Sequence, residues 1–344
     1  MSVELRLNCK FSSSDTSGVN NMATTPSVKS NAAQNTTNQV IYTHQFHSEA
    51  HVLSGELKSP IEQRIEKHAR VALKNERGGH LTRFLEDVSI EGLVYFRNGF
   101  TRVSGGESLK HKAWVTLSTS VMEGLNVFEI LTADRVVSQV STEHTQDAHG
   151  HVPRVTFLGT QFVNLRLCGF PITVTLDLNV CGDKPAGDQS YLTNMDFLRD
   201  TRKRVDRIAN CGFLPEAVKK QYDNRLGEID RLPDREGEKK ITCSLVKSIK
   251  VEHEKQIPGL EIIENVLVLR DFGAVSFGEV EVGIEAPTKA NDFRRPNPEP
   301  HNGHHKPSSM SNYFEVTMLN MELGCVGSGS VKVGQSKTNG TTSP

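Results

Sequence analysis

At 344 residues the chain can build one large domain or two ordinary ones, and a core of that size needs no disulfide staple. Its 40 Lys and Arg stand against 41 Asp and Glu, a net charge of −1, which argues against a phosphate-tracking surface and hence against nucleic acid as the main partner. The six cysteines are scattered without metal spacing, no stretch reaches the roughly 18–20 apolar residues of a membrane span, and Met1–Lys10 lacks the apolar core of a signal peptide. The expectation is a soluble, cytoplasmic protein with reduced thiols, with signal-independent export left open.

Residues 1–40, rich in Ser, Thr, Asn and Ala, read as a disordered arm, with Met22 as an alternative start. His44, His47 and His51 follow, without a helix start. Ser59-Pro60-Ile61-Glu62 has the form of a capping box, and Ile61, Ile65, Ala69 and Leu73 recur every four residues, so a helix is predicted over 59–77. Residues 82–111 read as β, with Asn98-Gly99 as a hairpin turn and Ser104-Gly105-Gly106 as a second turn. Strands are predicted at Ala113–Val127, with Gly124 marking a bulge or turn, and at Ile130–Glu143. A polar loop over 144–153 precedes the long apolar run 155–177, where Phe162–Leu167 and Ile172–Asp177 form a plausible hairpin.

Thr193 to Asn210 and Pro215 to Ile229 read as two helices, a hairpin over 193–229 inserted into the β fold. The first is basic, but Asp196, Asp200 and Asp206 interleave with its arginines. Strands return at Ile241–Val246, Leu260–Leu269, Val275–Val282 and Tyr313–Leu323. The β domain is thus predicted over 41–335, with 336–344 a disordered tail. The fold class is mainly β with helical additions: a single large antiparallel sandwich or barrel-like domain.

The runs Leu125–Asp134, Phe162–Pro171, Phe272–Glu279 and Val316–Glu322 together resemble a group of uncharacterised bacterial β proteins. More distantly they are similar to the choice-of-anchor exported proteins of actinobacteria. The resemblance implies a β fold and a non-catalytic role, and it transfers no site residue. The chain departs from the exported family in lacking a signal peptide and sorting tail and in carrying the helical hairpin.

No nucleophile elbow, zinc signature, dinucleotide fingerprint or phosphate loop is present, and no cofactor is expected. The primary expectation is a non-enzymatic structural or binding module that self-associates as a homo-oligomer or presents loops to a protein partner. The enzyme alternative rests on acid–base chemistry by Asp134, His144 and Glu279, with Glu143 and Asp177 as further carboxylates. The metal- or glycan-binding alternative rests on His144, His149 and His151, with His301, His304 and His305 as a second group.

Overall fold

A computed structural model describes residues 43–59, 61–145, 152–187, 189–233, 237–285, 311–324 and 328–343. All of them fall in one unit, residues 41–344. In chain order the strands are β1 (Thr43–Ser59), β2 (Gln63–His68), β3 (Val71–Asn75), β4 (Gly79–Ile90), β5 (Val94–Ser108), β6 (Ala113–Val127), β7 (Leu131–Thr145), β8 (Arg154–Thr156), β9 (Gln161–Val163), β10 (Arg166–Leu167) and β11 (Phe170–Leu176). Helices α1 (Met195–Ala209) and α2 (Glu216–Asp230) follow, then β12 (Lys239–Ser244), β13 (Val246–Val251), β14 (Leu260–Ile263), β15 (Val266–Leu269), β16 (Gly273–Glu285), β17 (Ser311–Leu323), β18 (Ser328–Asn339) and β19 (Thr341–Ser343).

These strands form two antiparallel sheets packed as a sandwich, with no closed barrel. The ten-stranded sheet runs β14-β15-β16-β17-β18-β1-β19, with β12 on β16 and β2 and β3 on β1. The nine-stranded sheet runs β13-β11-β10-β7-β6-β5-β4, with β8 and β9 on β7. The helical hairpin sits where it was predicted. Asn194 caps α1 by accepting from the Asp196 and Phe197 amides, and Pro215 precedes α2. The helices bury Phe197, Val205 and Ile208 from α1 and Val218, Tyr222 and Ile229 from α2.

Both sheets are creased. Between β16, β17, β18 and β1 the pairing passes over Gly278, Met318, Gly334 and Val52 in one line across the sheet, without a change of register. In the other sheet the same happens at Asp87, Arg97, Gly124 and Asp134 of β4 to β7. Gly278, Gly334, Asp87 and Gly124 have φ of 58°, 65°, 50° and 67°. A residue in that left-handed region resets the two-residue alternation, so the buried face switches parity at each crease. In β6, Thr116, Ser118, Ser120 and Met122 face inward before Gly124, and Leu125 and Val127 after it.

The fully buried hydroxyls are confined to one side of the crease, where they alternate with apolar residues such as Ala50, Val136, Val140, Phe314 and Val316. On one side Leu53, Leu57, Leu319, Met321, Val331, Val333, Leu125 and Leu131 make an apolar core. On the other, Ser48, Thr101, Thr116, Ser118, Ser120, Ser138, Thr142, Ser336 and Thr338 are all at 0% exposure. Several of these hydroxyls donate to main-chain carbonyls of the facing sheet: Ser118 to Glu49 at 2.7 Å, Ser120 to His51 at 2.9 Å and Ser336 to Ser138 at 3.0 Å.

Five predictions are corrected. Residues 63–75 are strands, because a spacing of four is also twice the strand period. Ile65, Val71 and Leu73 are buried, and Ala69, with φ 49°, turns the chain between β2 and β3. Asn98-Gly99 and Ser104-Gly105-Gly106 lie inside β5. The turn before β5 is made instead by Glu91 and Gly92, with φ 50° and 69°. The predicted tail supplies the end of β18, paired on both sides by β1 and β17, and also β19. Gly124, read as a bulge or turn, is a kink in register. The predicted arm, residues 1–40, lies outside the described residues.

Candidate functional site

The three acid–base candidates do not converge. Asp134 is exposed at the crease of β7, where it accepts from Asn164 Nδ2 at 2.6 Å. His144 lies ten residues further along the same strand, roughly 30 Å away at about 3.3 Å per residue. It is buried at the hydroxyl-lined end. Glu279 belongs to the other sheet and points outward beneath α2. His149, His151, His301, His304 and His305 lie outside the described residues. Among the described residues no group of three or more His, Cys, Asp or Glu is placed to hold a metal ion.

The structure instead pairs His144 with His44, their ring centroids 4.6 Å apart. His44 stacks on Trp114 at 5.2 Å, meets Phe46 edge-on at 4.7 Å, and shares a hydrogen bond between Nδ1 and Thr342 Oγ1 at 3.0 Å. Burial pulls its pKa down to about 4, so the ring is neutral at neutral pH. Gly340 closes over the pair: a Cβ there would stand 2.8 Å from both rings. This is packing, with no room for a substrate.

Glu279 is the hub of a buried network. Gly278 turns it to the outer face, where it accepts from Arg225 Nη1 at 2.7 Å, Asn320 Nδ2 at 3.0 Å and the Tyr222 hydroxyl at 3.5 Å. Tyr222 also meets Ser276 Oγ at 3.2 Å, and the Arg225 guanidinium lies 4.5 Å above the Tyr222 ring. The Arg225 and Glu279 side chains are only 11% and 7% exposed. Burial pushes the Glu279 carboxyl up, but the charge and hydrogen bond of Arg225, with that of Asn320, bring it below the usual range. A carboxylate so fully engaged fastens α2 to the sheet; it is not a free base. Arg225 was missed in the sequence, although it stands three residues from Tyr222, already placed on the apolar stripe of α2. Beside this network a groove of about 280 Å³ runs between α2 and the outer face of β16 and β17.

A further exposed feature is the edge strand β4. Among the described residues its only hydrogen-bonded neighbour is β5. Its residues from Gly79 to Phe84 are all exposed, Leu81 at 45% and Phe84 at 52%. Opposite residues of a β ladder share a face, so Leu81 belongs with Val103 on one face and Phe84 with Phe100 on the other. The strand carries no Lys and no Pro, the usual protections of a free edge. Its charges are segregated: His80 and Arg83 come first, Glu86 and Asp87 after them.

Among the described residues no helix is long and apolar enough to cross a membrane. A family model described as "Domain of unknown function (DUF8256)" matches residues 44–283, which span β1 to β16 and include the whole nine-stranded sheet and the helical hairpin. No curated protein and no solved structure gives a significant match.

Proposed function

The chain belongs to this DUF8256 family, and we propose that it is a non-enzymatic assembly module in which two copies join through β4, edge to edge and antiparallel. The observation that carries the reading is the edge itself, 12 residues long, with Leu81 and Phe84 exposed on opposite faces and no Lys or Pro along it. Its charge order selects the partner. In an antiparallel pair centred near Phe84 and Leu85, the basic start of one strand lies beside the acidic end of the other, and this happens twice by symmetry. A parallel pair would set like charges together. A net charge of −1 offers little repulsion between copies.

The test is light scattering after size exclusion on the full untagged chain over a concentration series. The expected mass is twice the 38.1 kDa of one chain. Arg83→Glu should weaken the dimer at least tenfold, and adding Glu86→Arg should restore it, since both side chains are exposed and neither substitution touches the core. A monomer at every concentration, or a dimer indifferent to Arg83→Glu, would overturn the reading.

A further inference from the structure

We infer that Cys181 and Cys243 form a redox-active dithiol, which hydrogen peroxide closes to a disulfide at the root of the helical hairpin. The two residues bracket the insertion: Cys181 follows β11, Cys243 lies on β12, and α1 and α2 fall between them. Both side chains are buried in the same core, at 1% and 7% exposure. Their thiols share a hydrogen bond. The backbone brings them together independently of that contact. Asp177 N–H donates to the Leu245 carbonyl at 2.6 Å, which ties the chain entering the insertion to the chain leaving it. Gly182 N–H donates to the Asn179 carbonyl at 2.8 Å, closing the turn that carries Cys181. Val180 and Cys243 line one cavity.

Two thiols within hydrogen-bond reach need only side-chain movement to come to the roughly 2 Å of a disulfide. The cavity, of about 110 Å³, lies between α1, α2 and β12. A single water needs roughly 10–15 Å³ of such space, so hydrogen peroxide fits beside Cys243. The Cys243 thiol, and then burial, push the Cys181 thiol well above the ordinary cysteine range. Its thiolate is therefore scarce, and Cys243 supplies the attacking sulfur. That thiolate takes one peroxide oxygen as the O–O bond breaks, and the other oxygen leaves as hydroxide, which the proton released by the thiol turns into water. The Cys181 thiol then attacks the Cys243 sulfenic acid. The S–S bond forms, the S–O bond breaks, and the oxygen leaves with the Cys181 proton as a second water. The dithiol is oxidised by two electrons and the peroxide is reduced by two.

The position of the pair gives the bond its consequence. It closes a loop of roughly 60 residues that holds the whole hairpin, and a cross-link across such a loop restricts the unfolded chain. In the reduced form the hairpin is held by its apolar faces and by the pair of Arg225 with Glu279. Oxidation adds a covalent staple at its base. Cys168 is exposed and Cys211 half-buried, and neither belongs to the core that holds the dithiol.

The test is peptide mapping of the full chain carrying Cys168→Ser, since Cys168 and Cys181 otherwise share one tryptic peptide. Hydrogen peroxide should join peptide 167–199 to peptide 241–247. The joined species should weigh about 2 Da less than the two peptides together, and dithiothreitol should part them. The melting temperature of the folded chain should rise by about 5 °C on oxidation. Cys181→Ala, added to the same chain, keeps that position small and apolar. The cross-link and the rise should then vanish, and Cys243 should stop at a sulfenic acid that dimedone labels. Absence of the cross-link in the Cys168→Ser chain, Cys243 joined to any other cysteine, or an equal rise with Cys181→Ala would each overturn the inference. None of these readouts depends on association through β4.

Discussion

Replacing Arg225 by Met tests the account of how the helical hairpin is held. The substitution keeps the aliphatic stem and removes the cation from a pair whose members are 11% and 7% exposed. Glu279 would retain the Asn320 and Tyr222 bonds but lose the one ion-pair partner it has among the described residues. Breaking a buried pair from one side costs about 3–5 kcal/mol, on the order of 10 °C in melting temperature for a large domain. The penalty depends on pH with a definite sign. In the parent protein the Glu279 pKa lies below its unfolded value, so the pair's contribution is present above the ordinary carboxylate pKa and is lost as pH falls through the folded one. In the variant, burial without Arg225 raises that pKa instead, and protonation relieves the cost. Urea titrations at pH 7 and pH 4 should therefore show a deficit of about 3–5 kcal/mol at the higher pH that shrinks at the lower. The double variant Arg225→Met, Glu279→Met should recover most of the loss at both. A deficit below about 1 kcal/mol, or one independent of pH, would refute the buried-pair reasoning.

Other outcomes follow from the interior. Gly334→Ala places a Cβ 3.2 Å from Met318 Cγ at a φ of 65° and should cost about 1–3 kcal/mol in urea denaturation. Thr142 Oγ1 is buried opposite Thr116 with no hydrogen-bond partner among the described residues, so Thr142→Val should be neutral or should stabilise by about 1 kcal/mol; a loss larger than that would show the hydroxyl to be engaged. Burial, the largest cause for each, holds His44 and His51 at pKa values of about 4 against an ordinary 6.5, so the unfolded chain takes up more protons between those values and stability should fall as pH drops through that window. Each histidine contributes roughly 3 kcal/mol at about 1.36 kcal/mol per unit, and His51→Gln should flatten the denaturation midpoint against pH.

The antiparallel sandwich and the helical hairpin were legible because long alternating runs and capped amphipathic stretches are local signals. Ala113–Val127 was located as a strand to the residue, yet its alternation does not disclose that Thr116, Ser118 and Ser120 are the buried face, with Leu117 and Val121 half-exposed. Ser118 and Ser120 find their partners in main-chain carbonyls of Glu49 and His51 on the other sheet, 69 positions away, which no local pattern reveals. Residues 59–77 were misread because a four-residue spacing serves both periods. Of the candidate site, Glu279 could be named as a carboxylate within a predicted strand, whereas its partner Arg225 sits 54 positions earlier on a helix whose docking face no local pattern reveals. Asp134 and His144 drew attention as chemistry-bearing residues, but the crease leaves one in solvent and packs the other against His44.

The divided interior also shapes how stability varies with temperature. Exposing apolar surface raises the heat capacity by about 0.45 cal/K/mol/Å² and exposing polar surface lowers it by about 0.26. Nine fully buried Ser and Thr side chains on one side of the crease thus offset part of the heat-capacity increment of the apolar side. The protein should have a smaller heat-capacity change per residue than a sandwich apolar throughout, hence a flatter stability curve.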